Sequence, residues 1–275
     1  MRPAHPASVA VPRTSWPGEA AGQRALAEET PIAFTFNRAT LAVMLASPAD
    51  LEDFAIGFSL TEGIIAGPED IEELDIVPAE TGIELRLWLA PARAAAAASR
   101  RRRLAGPGGC GLCGIESLAE AARPAPEITS TARFSAAEIA AAAATLAPAQ
   151  RLGALTRATH AAGFWIPGEG LIALREDVGR HNALDKLAGA LARQGRTAAD
   201  GIVLLSSRLS VELVQKAARI GAPVLAAVSA PTALAVRTAE AAGITLIGIA
   251  RDDGFEIFTH PRRVTPAAET PRHVA

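Results

Sequence analysis

An α/β fold is what this sequence predicts, and three observations predict it. First, short apolar runs at Ile202–Leu205, Val224–Val228 and Ile244–Ile249 alternate with helical patterns at Val211–Ile220 and Thr232–Ala242. Runs that are continuously apolar, without a polar residue at every second place, mark strands covered on both faces. Second, a further helical pattern at Arg180–Gln194 keeps Leu184, Leu187, Ala188 and Leu191 on one face and is followed by Gly195 in the C′ position. Third, 275 residues, 49% of them hydrophobic, are enough to bury the core of one large domain or two modest ones. Alternation of this kind builds a βαβαβ arrangement with right-handed crossovers.

The elements follow in order. Residues 1–27, rich in Pro, Ala and Gly, read as a flexible tail. Ile32-Ala-Phe34-Thr-Phe36 alternates as a half-buried strand, Asn37-Arg38 turns, and Thr40–Leu45 returns. Ser47-Pro48 has the form of a helix start, with Ser as N-cap and Pro in the first turn, and Leu51, Phe54, Ala55 and Phe58 then share one face. Strands at Ile71–Val77 and Ile83–Leu89 complete a smaller α+β module. Its last part, within residues 28–123, carries Arg100-Arg-Arg-Arg103 and a Gly-rich arm at about 104–114, for which mobility is expected. Prolines at 124 and 126 place a domain boundary near residues 124–134, with the α/β domain spanning 124–265 and a tail at 266–275. That domain opens with a helix at Ser135–Leu146, Ser135 capping and Glu138 three residues on. A hairpin of Thr159–Ile166 and Leu171–Arg175 follows, then a helix at Arg180–Gln194, the three apolar strands, and an antiparallel edge at Phe255–Thr259.

Composition excludes several classes of function. Lys and Arg number 27 against 29 Asp and Glu, so a wholesale nucleic-acid or acidic-membrane binder is not expected. No apolar run approaches the roughly 18 residues of a membrane span. The N-terminal stretch has no apolar signal-peptide block, which makes the cytoplasm, where thiols stay reduced, the expected compartment. Two cysteines make neither a disulfide scaffold nor a four-thiolate metal site.

Those two cysteines carry the clearest chemistry. Cys110-Gly-Leu-Cys113 is suited to holding a persulfide, forming a disulfide, or supplying half of a zinc site shared with a distant His or a second chain. The four arginines would favour the thiolate electrostatically, although such a run is equally a solvated face. An accessible thiolate on a swinging arm fits group transfer better than fixed-site redox. A second site follows from topology, because open α/β sheets bind ligands beyond the carboxyl ends of their strands. There the sequence places Ser206-Ser207-Arg208, then Ser229-Ala-Pro-Thr232, then Arg251-Asp252-Asp253-Gly254. Hydroxyls, helix starts and two arginines suit an anion such as a phosphate or nucleotide. Any one hydroxyl could simply cap a helix, but three clusters at successive strand ends favour a ligand edge. A third group, Asp177, Arg180, His181, Asn182, Asp185 and Lys186, crowds one helix start, with His160 in the preceding strand. It reads either as a ligand-facing set or as a buried salt-bridge knot. The His-x-Glu and Pro-Cys-x-x-Cys order of zinc deaminases is absent, since His181 is followed by Asn-Ala and the CxxC lies upstream.

Taken together and in order, Asp50–Phe58, Thr61-Glu-Gly-Ile-Ile65, Cys110–Gly114, Glu176–Lys186, Ser206–Lys216, Ser229–Thr232 and the Arg251 loop resemble the FdhD family, the formate dehydrogenase accessory sulfurtransferases. The resemblance runs from about Thr30 to Val264. It implies a cytidine-deaminase-like three-layer α/β/α second domain without that fold's zinc. It also implies a sulfurtransferase, a persulfide carrier in the maturation of bis-molybdopterin guanine dinucleotide, with a cysteine desulfurase as donor and formate dehydrogenase as the enzyme served. By matching position Cys110 is the persulfide carrier and Cys113 its helper. Ile249, Ala250, Arg251, Asp252, Asp253 and Gly254 correspond to the cofactor loop. Ser207, Arg208, Ser229 and Thr232 join it, and Asp177, Arg180, His181 and Asn182 would orient cofactor or acceptor. A homodimer is implied as well, with no resident metal. The rival readings are a cofactor chaperone that moves no sulfur, and a CxxC redox or zinc-linked interaction protein. One departure stands out: the family's Thr-Gly-Gly-x-His reads Thr156-Arg157-Ala158-Thr159-His160 here, and larger residues there would narrow a ligand's approach to the backbone.

Overall fold

Ile32, Phe34 and Phe36 alternate with more polar neighbours and form the centre of a small mixed sheet, as their spacing requires. The computed structural model describes residues 6–17, 20–91, 93, 124–251 and 253–266. Strands β1 (Ser8–Ser15) and β2 (Ala20–Ala27) pair as an antiparallel hairpin in the segment expected to be a loose tail. Most of its side chains are exposed, so no buried alternation announced it, and the backbone ladder holds it together. Strands β3 (Thr30–Phe36), β4 (Ala39–Ala46), β5 (Ile71–Ala79) and β6 (Gly82–Leu89) then form a sheet in the order β4–β3–β6–β5, with only β3 and β6 parallel. Asn37 and Arg38 both hold positive φ, the geometry that closes a two-residue hairpin. Helix α1 (Leu51–Thr61) lies on this sheet and buries Phe54 and Phe58 against Phe34, one edge-on and one stacked.

The start of α1 differs from expectation. Asp50, not Ser47, precedes the helix, in a left-handed conformation at φ 53 and without a side-chain cap bond. Ser47 is fully buried and bonds to a distant segment: its N–H donates to the Asp177 carboxylate and its Oγ accepts the Val178 N–H.

The larger sheet has six strands in the order β13–β12–β11–β10–β8–β9. These are β8 (His160–Ile166), β9 (Gly170–Asp177), β10 (Ile202–Leu205), β11 (Val224–Ala227), β12 (Thr245–Arg251) and β13 (Gly254–Ile257). The three apolar runs β10, β11 and β12 are parallel, as their continuous hydrophobicity predicts, while β8, β9 and β13 are antiparallel to their neighbours. Their side chains alternate between two apolar clusters. Val203, Leu205, Leu225 and Leu246 face helices α4 (Arg180–Arg193), α5 (Val211–Arg219) and α6 (Ala233–Ala242). Ile202, Leu204, Val224 and Ile247 pack instead with Ile139, Ala142 and Leu146 of α2 (Ala136–Ala149). Two small elements carry too little pattern to be read from sequence. One is the turn of helix α3 (Arg151–Thr156); the other is a parallel bridge of β7 (Phe134–Ser135) with β14 (Val264–Thr265).

The two sheets meet through α1 and α4. Gly57 and Gly189 allow it: a Cβ on Gly57 would overlap the Asp185 carbonyl, and one on Gly189 the Asp53 carbonyl. Backbone therefore lies directly on backbone at this crossing.

Candidate ligand site at the strand edge

Parallel pairing of β10, β11 and β12 brings the segments after them to one edge of the large sheet. Leu205 pairs with Ala162 of the antiparallel β8, so β8 begins at this same edge. Ser206 is held there twice: its N–H donates to the Ala161 carbonyl (3.0 Å) and its Oγ accepts the Ala161 N–H (2.7 Å). His160 pairs with Asp177 at the end of β9, which delivers the first turn of α4 to the edge as well. Four separate chain segments and one helix start thus converge, as expected of a site beyond strand carboxyl ends.

The crowded helix start divides into two groups with different neighbours. Asp177 is wholly buried, and its carboxylate accepts from Lys186 Nζ (2.6 Å), Ser47 N (2.9 Å), Gly179 N (2.7 Å) and Asn182 Nδ2 (2.9 Å). Lys186 also donates to the Ser47 carbonyl and lies over the Phe54 ring. Asn182 donates its remaining N–H to the Leu45 carbonyl. One turn further, Lys216 of α5 donates to Asp185, Thr61 and Glu62. Burial presses the Lys216 ammonium down, but the Asp185 and Glu62 carboxylates outweigh it and leave its pKa above the ordinary lysine value. Asp53 adds a third link by accepting from Arg175 Nε and Arg193. These are struts between the two sheets. Asp177 and Asn182, expected to orient a ligand, have the carboxylate and the amide N–H groups engaged inside the strut, and to that extent they act between the sheets rather than at the edge.

Arg180 and His181 form the other group, at the edge. Arg180 Nε is buried without a hydrogen-bond partner. His181 Nε2 faces α5, 3.4 Å from Ser210 Oγ and 3.7 Å from Glu212 Oε2. Glu212 is held at about 2: burial raises it, while bonds from His181, Ser210 and its own N–H lower it further. His160 joins this group, its pKa lowered by burial first and by the Arg180 charge second, so it stays neutral near pH 7. Glu212 and Ser210 were not singled out from the sequence. They lie within the Ser206–Lys216 segment, where Ser-x-Glu reads locally as ordinary capping chemistry.

The other expected ligand residues are mixed. Thr232 accepts the Ala235 N–H and so caps α6, and the Ser207 hydroxyl, nearly buried, donates to the Arg208 carbonyl. Helix capping and loop closure thus engage each of these two hydroxyls once. Arg208 is exposed at the edge and Ser229 half-buried, with the Ser229 carbonyl accepting the Ile249 N–H (3.4 Å). The antiparallel β12–β13 ladder slips between Gly248 and Arg251, and Ile249 adopts φ 52. A β-branched residue in that region is strained, and such strain collects at functional loops. Ala250 is buried, while Arg251, Asp253 and Gly254 are exposed in the hairpin to β13. Cys110, Cys113, Asp252 and the four-arginine run lie outside the described residues. At the opposite, amino edge a cleft of about 540 Å³ is bounded by Ser130, Thr197 and Asp200; none of the expected site residues reaches it. No described helix is long and apolar enough to cross a membrane.

The "Sulfur carrier protein FdhD" of Agrobacterium fabrum is 55% identical over 246 residues, 89% of this chain and 91% of that protein. The protein of the same description from Brucella abortus is 56% identical over 242 residues, 88% of this chain and 90% of its own. A crystal structure described as that of a formate dehydrogenase accessory protein from Desulfotalea psychrophila superposes with a TM-score of 0.75. It covers 94% of this chain and all of that one at 25% identity. The FdhD/NarQ family model matches residues 27–265, and the chain belongs to that family.

Proposed function

We propose that this protein is a sulfurtransferase acting as a persulfide carrier, which receives sulfur from a cysteine desulfurase and delivers it to bis-molybdopterin guanine dinucleotide for formate dehydrogenase. The observation that carries the reading is the convergence of Arg180, His181, His160, Ser229 and Arg251 on one strand edge, with an unpartnered guanidinium N–H among them. A phosphate-rich dinucleotide supplies the acceptors that such donors lack. The relatives' description as sulfur carriers supports the thiol half of the reading, and Cys110 and Cys113 are the chain's two cysteines. In loading, the Cys110 thiolate attacks the outer sulfur of the desulfurase persulfide. The new S–S bond leaves Cys110 as persulfide and releases the desulfurase thiolate. Cys113 stands three residues away to assist. The cofactor is cargo, bound through its guanine dinucleotide at the edge. The apolar clusters on both faces of the large sheet fit a cytidine-deaminase-like domain, and a homodimer in the cytoplasm would bring two carrier arms near two sites.

Incubation with a desulfurase and ³⁵S-cysteine should leave one cyanolysable sulfur on Cys110, absent in Cys110→Ala, and that variant should not activate formate dehydrogenase. Full activation by Cys110→Ala would defeat sulfur carriage and leave the chaperone reading. GDP should raise the melting temperature of wild type but not of Arg251→Ala, since a ligand that binds only the folded state stabilises it.

A further inference from the structure

Hairpin β1–β2 is a sheet of its own, pairs with no strand of the two larger sheets, and rests on its own chain at α3. The family match begins at residue 27, so nearly all of the hairpin lies ahead of it. We propose that this hairpin is an arm that lies across the outer face of the small sheet in a second copy of the chain, and that two copies exchange arms to form the homodimer. This rests on the homodimer proposed above and adds to it the two surfaces that meet.

Strand period and register define both surfaces. In the hairpin Val9 pairs with Leu26, Val11 with Arg24 and Arg13 with Gly22, and paired residues share a face. That face presents Val11, Leu26, Arg13 and Arg24, all exposed, and neither strand carries an acid. Ala25 and Ala27, on the opposite face, are half-buried. In the small sheet Ile32, Phe34 and Phe36 pack in the core with α1, so Pro31, Ala33 and Thr35 face outward. Their pairing partners extend the outer face: Leu45 and Val43 on β4, Glu84 and Arg86 on β6, then Val77 and Asp75 on β5, with Glu73 two residues before Asp75. Val43 and Leu45 are 58% and 53% exposed, an apolar corner left open on a sheet whose other face α1 covers.

The two surfaces match in charge and in spacing. On the hairpin the apolar residues Val9, Val11 and Leu26 lie toward the base, and Arg13 lies toward the tip. On the sheet the apolar corner is at β4, and the exposed acids Glu73 and Asp75 are at β5. From Val9 to Arg13 is about 13 Å of extended chain, and from β4 to β5 is about 14 Å across three strand spacings. A hairpin crossing the strands, as in orthogonal sheet packing, therefore sets Leu26 and Val11 over Leu45 and Val43 and its arginines toward Glu73 and Asp75. A two-stranded ribbon is marginal in water by itself, and this contact gives it a third layer. Both halves of the contact stand on one chain and differ from each other, so a reciprocal exchange closes on itself about a twofold axis.

The test is sedimentation equilibrium of the full-length chain at low and high salt. Wild type should dimerise, and less tightly as salt rises. Val43→Glu should weaken the dimer about tenfold or more, and so should Arg13→Glu with Arg24→Glu, which sets like charges face to face. Adding Glu73→Lys and Asp75→Lys to the arginine reversals should recover part of the loss, whereas Leu234→Glu, exposed on α6, should change nothing. As a measure independent of affinity, chains carrying Leu26→Cys are mixed with chains carrying Val43→Cys, both with Cys110→Ser and Cys113→Ser, and treated with a short bis-maleimide. A cross-linked pair should form, and should be missing when the second chain carries Leu234→Cys instead. A dimer untouched by Val43→Glu and by the arginine reversals, with no cross-link, overturns the arm and leaves the homodimer to another surface. A wild type that stays monomeric at millimolar concentration removes the arm and the homodimer together. Persulfide loading of Cys110 is read separately, so failure of the sulfur-carrier proposal is distinguishable from both.

Discussion

Arg157 sits at φ 57, exposed, as the last residue of the α3 turn, where its N–H donates to the Gly153 carbonyl. That is the left-handed cap glycine normally takes, and the resemblance to the family places a glycine here. The conformation explains such a glycine without any ligand: the helix needs to end, and a side chain is penalised for ending it this way. For a non-glycine residue the left-handed region costs about 1–2 kcal/mol. Glycine gives back roughly 0.5–1 kcal/mol of that through the entropy of the unfolded chain. Arg157→Gly should therefore stabilise the protein by about 0.5–1 kcal/mol, read as a higher urea midpoint at unchanged slope. A loss of stability would mean that Arg157 makes contacts which outweigh the strain.

At the scale of elements, what could be read from the sequence is what is decided locally. Helix α2 was legible because Ser135 and Glu138 cap it reciprocally: the Glu138 N–H donates to Ser135 Oγ and the Ser135 N–H to the Glu138 carboxylate. The strands β10 to β12 were legible because burial on both faces leaves a continuous apolar run. Ser47 offered the same local chemistry as a cap, yet its partners are Asp177 and Val178, some 130 residues away, and such a bond leaves no nearby signature. The site divides in the same way. Strand ends were predictable from topology, whereas the split of the Asp177–Lys186 segment into buried strut and strand-edge groups depends on where α1 lies. The α1–α4 crossing shows how far packing can reverse a local rule. By helix propensity alone Gly57→Ala would stabilise α1 by about 1 kcal/mol. Its Cβ would overlap the Asp185 backbone, which cannot step aside as a side-chain tip can. The expected result is a loss of about 3 kcal/mol or more, since overpacking against backbone moves whole elements. A stabilised Gly57→Ala protein would show that the helices do not cross this closely.

For the whole molecule, the two sheets share no strand and are joined by the α1–α4 crossing and by ion pairs that span it, Lys216–Glu62, Arg175–Asp53 and Arg193–Asp53. Lys216 is the hub of one such link, with Thr61 and Glu62 on the first side and Asp185 on the second. Removing one partner of a buried pair leaves the other charge unmatched, at a cost of about 3–5 kcal/mol. Because that cost falls on the interface, Lys216→Met should uncouple the sheets as well as weaken them. The tryptophans make this measurable, since Trp16 lies at the hairpin tip, Trp88 in β6 of the first sheet and Trp165 in β8 of the second. In otherwise wild-type chains keeping only Trp88 or only Trp165, urea transitions should coincide, the mark of one cooperative unit. With Lys216→Met added they should separate, Trp88 first, because the first sheet retains the smaller core. Coincidence in both backgrounds would mean the helix crossing suffices without the ionic hub. Separation already in the wild type would mean that the boundary expected near residues 124–134 divides two units that fold independently, and that the struts align them without binding their stabilities together.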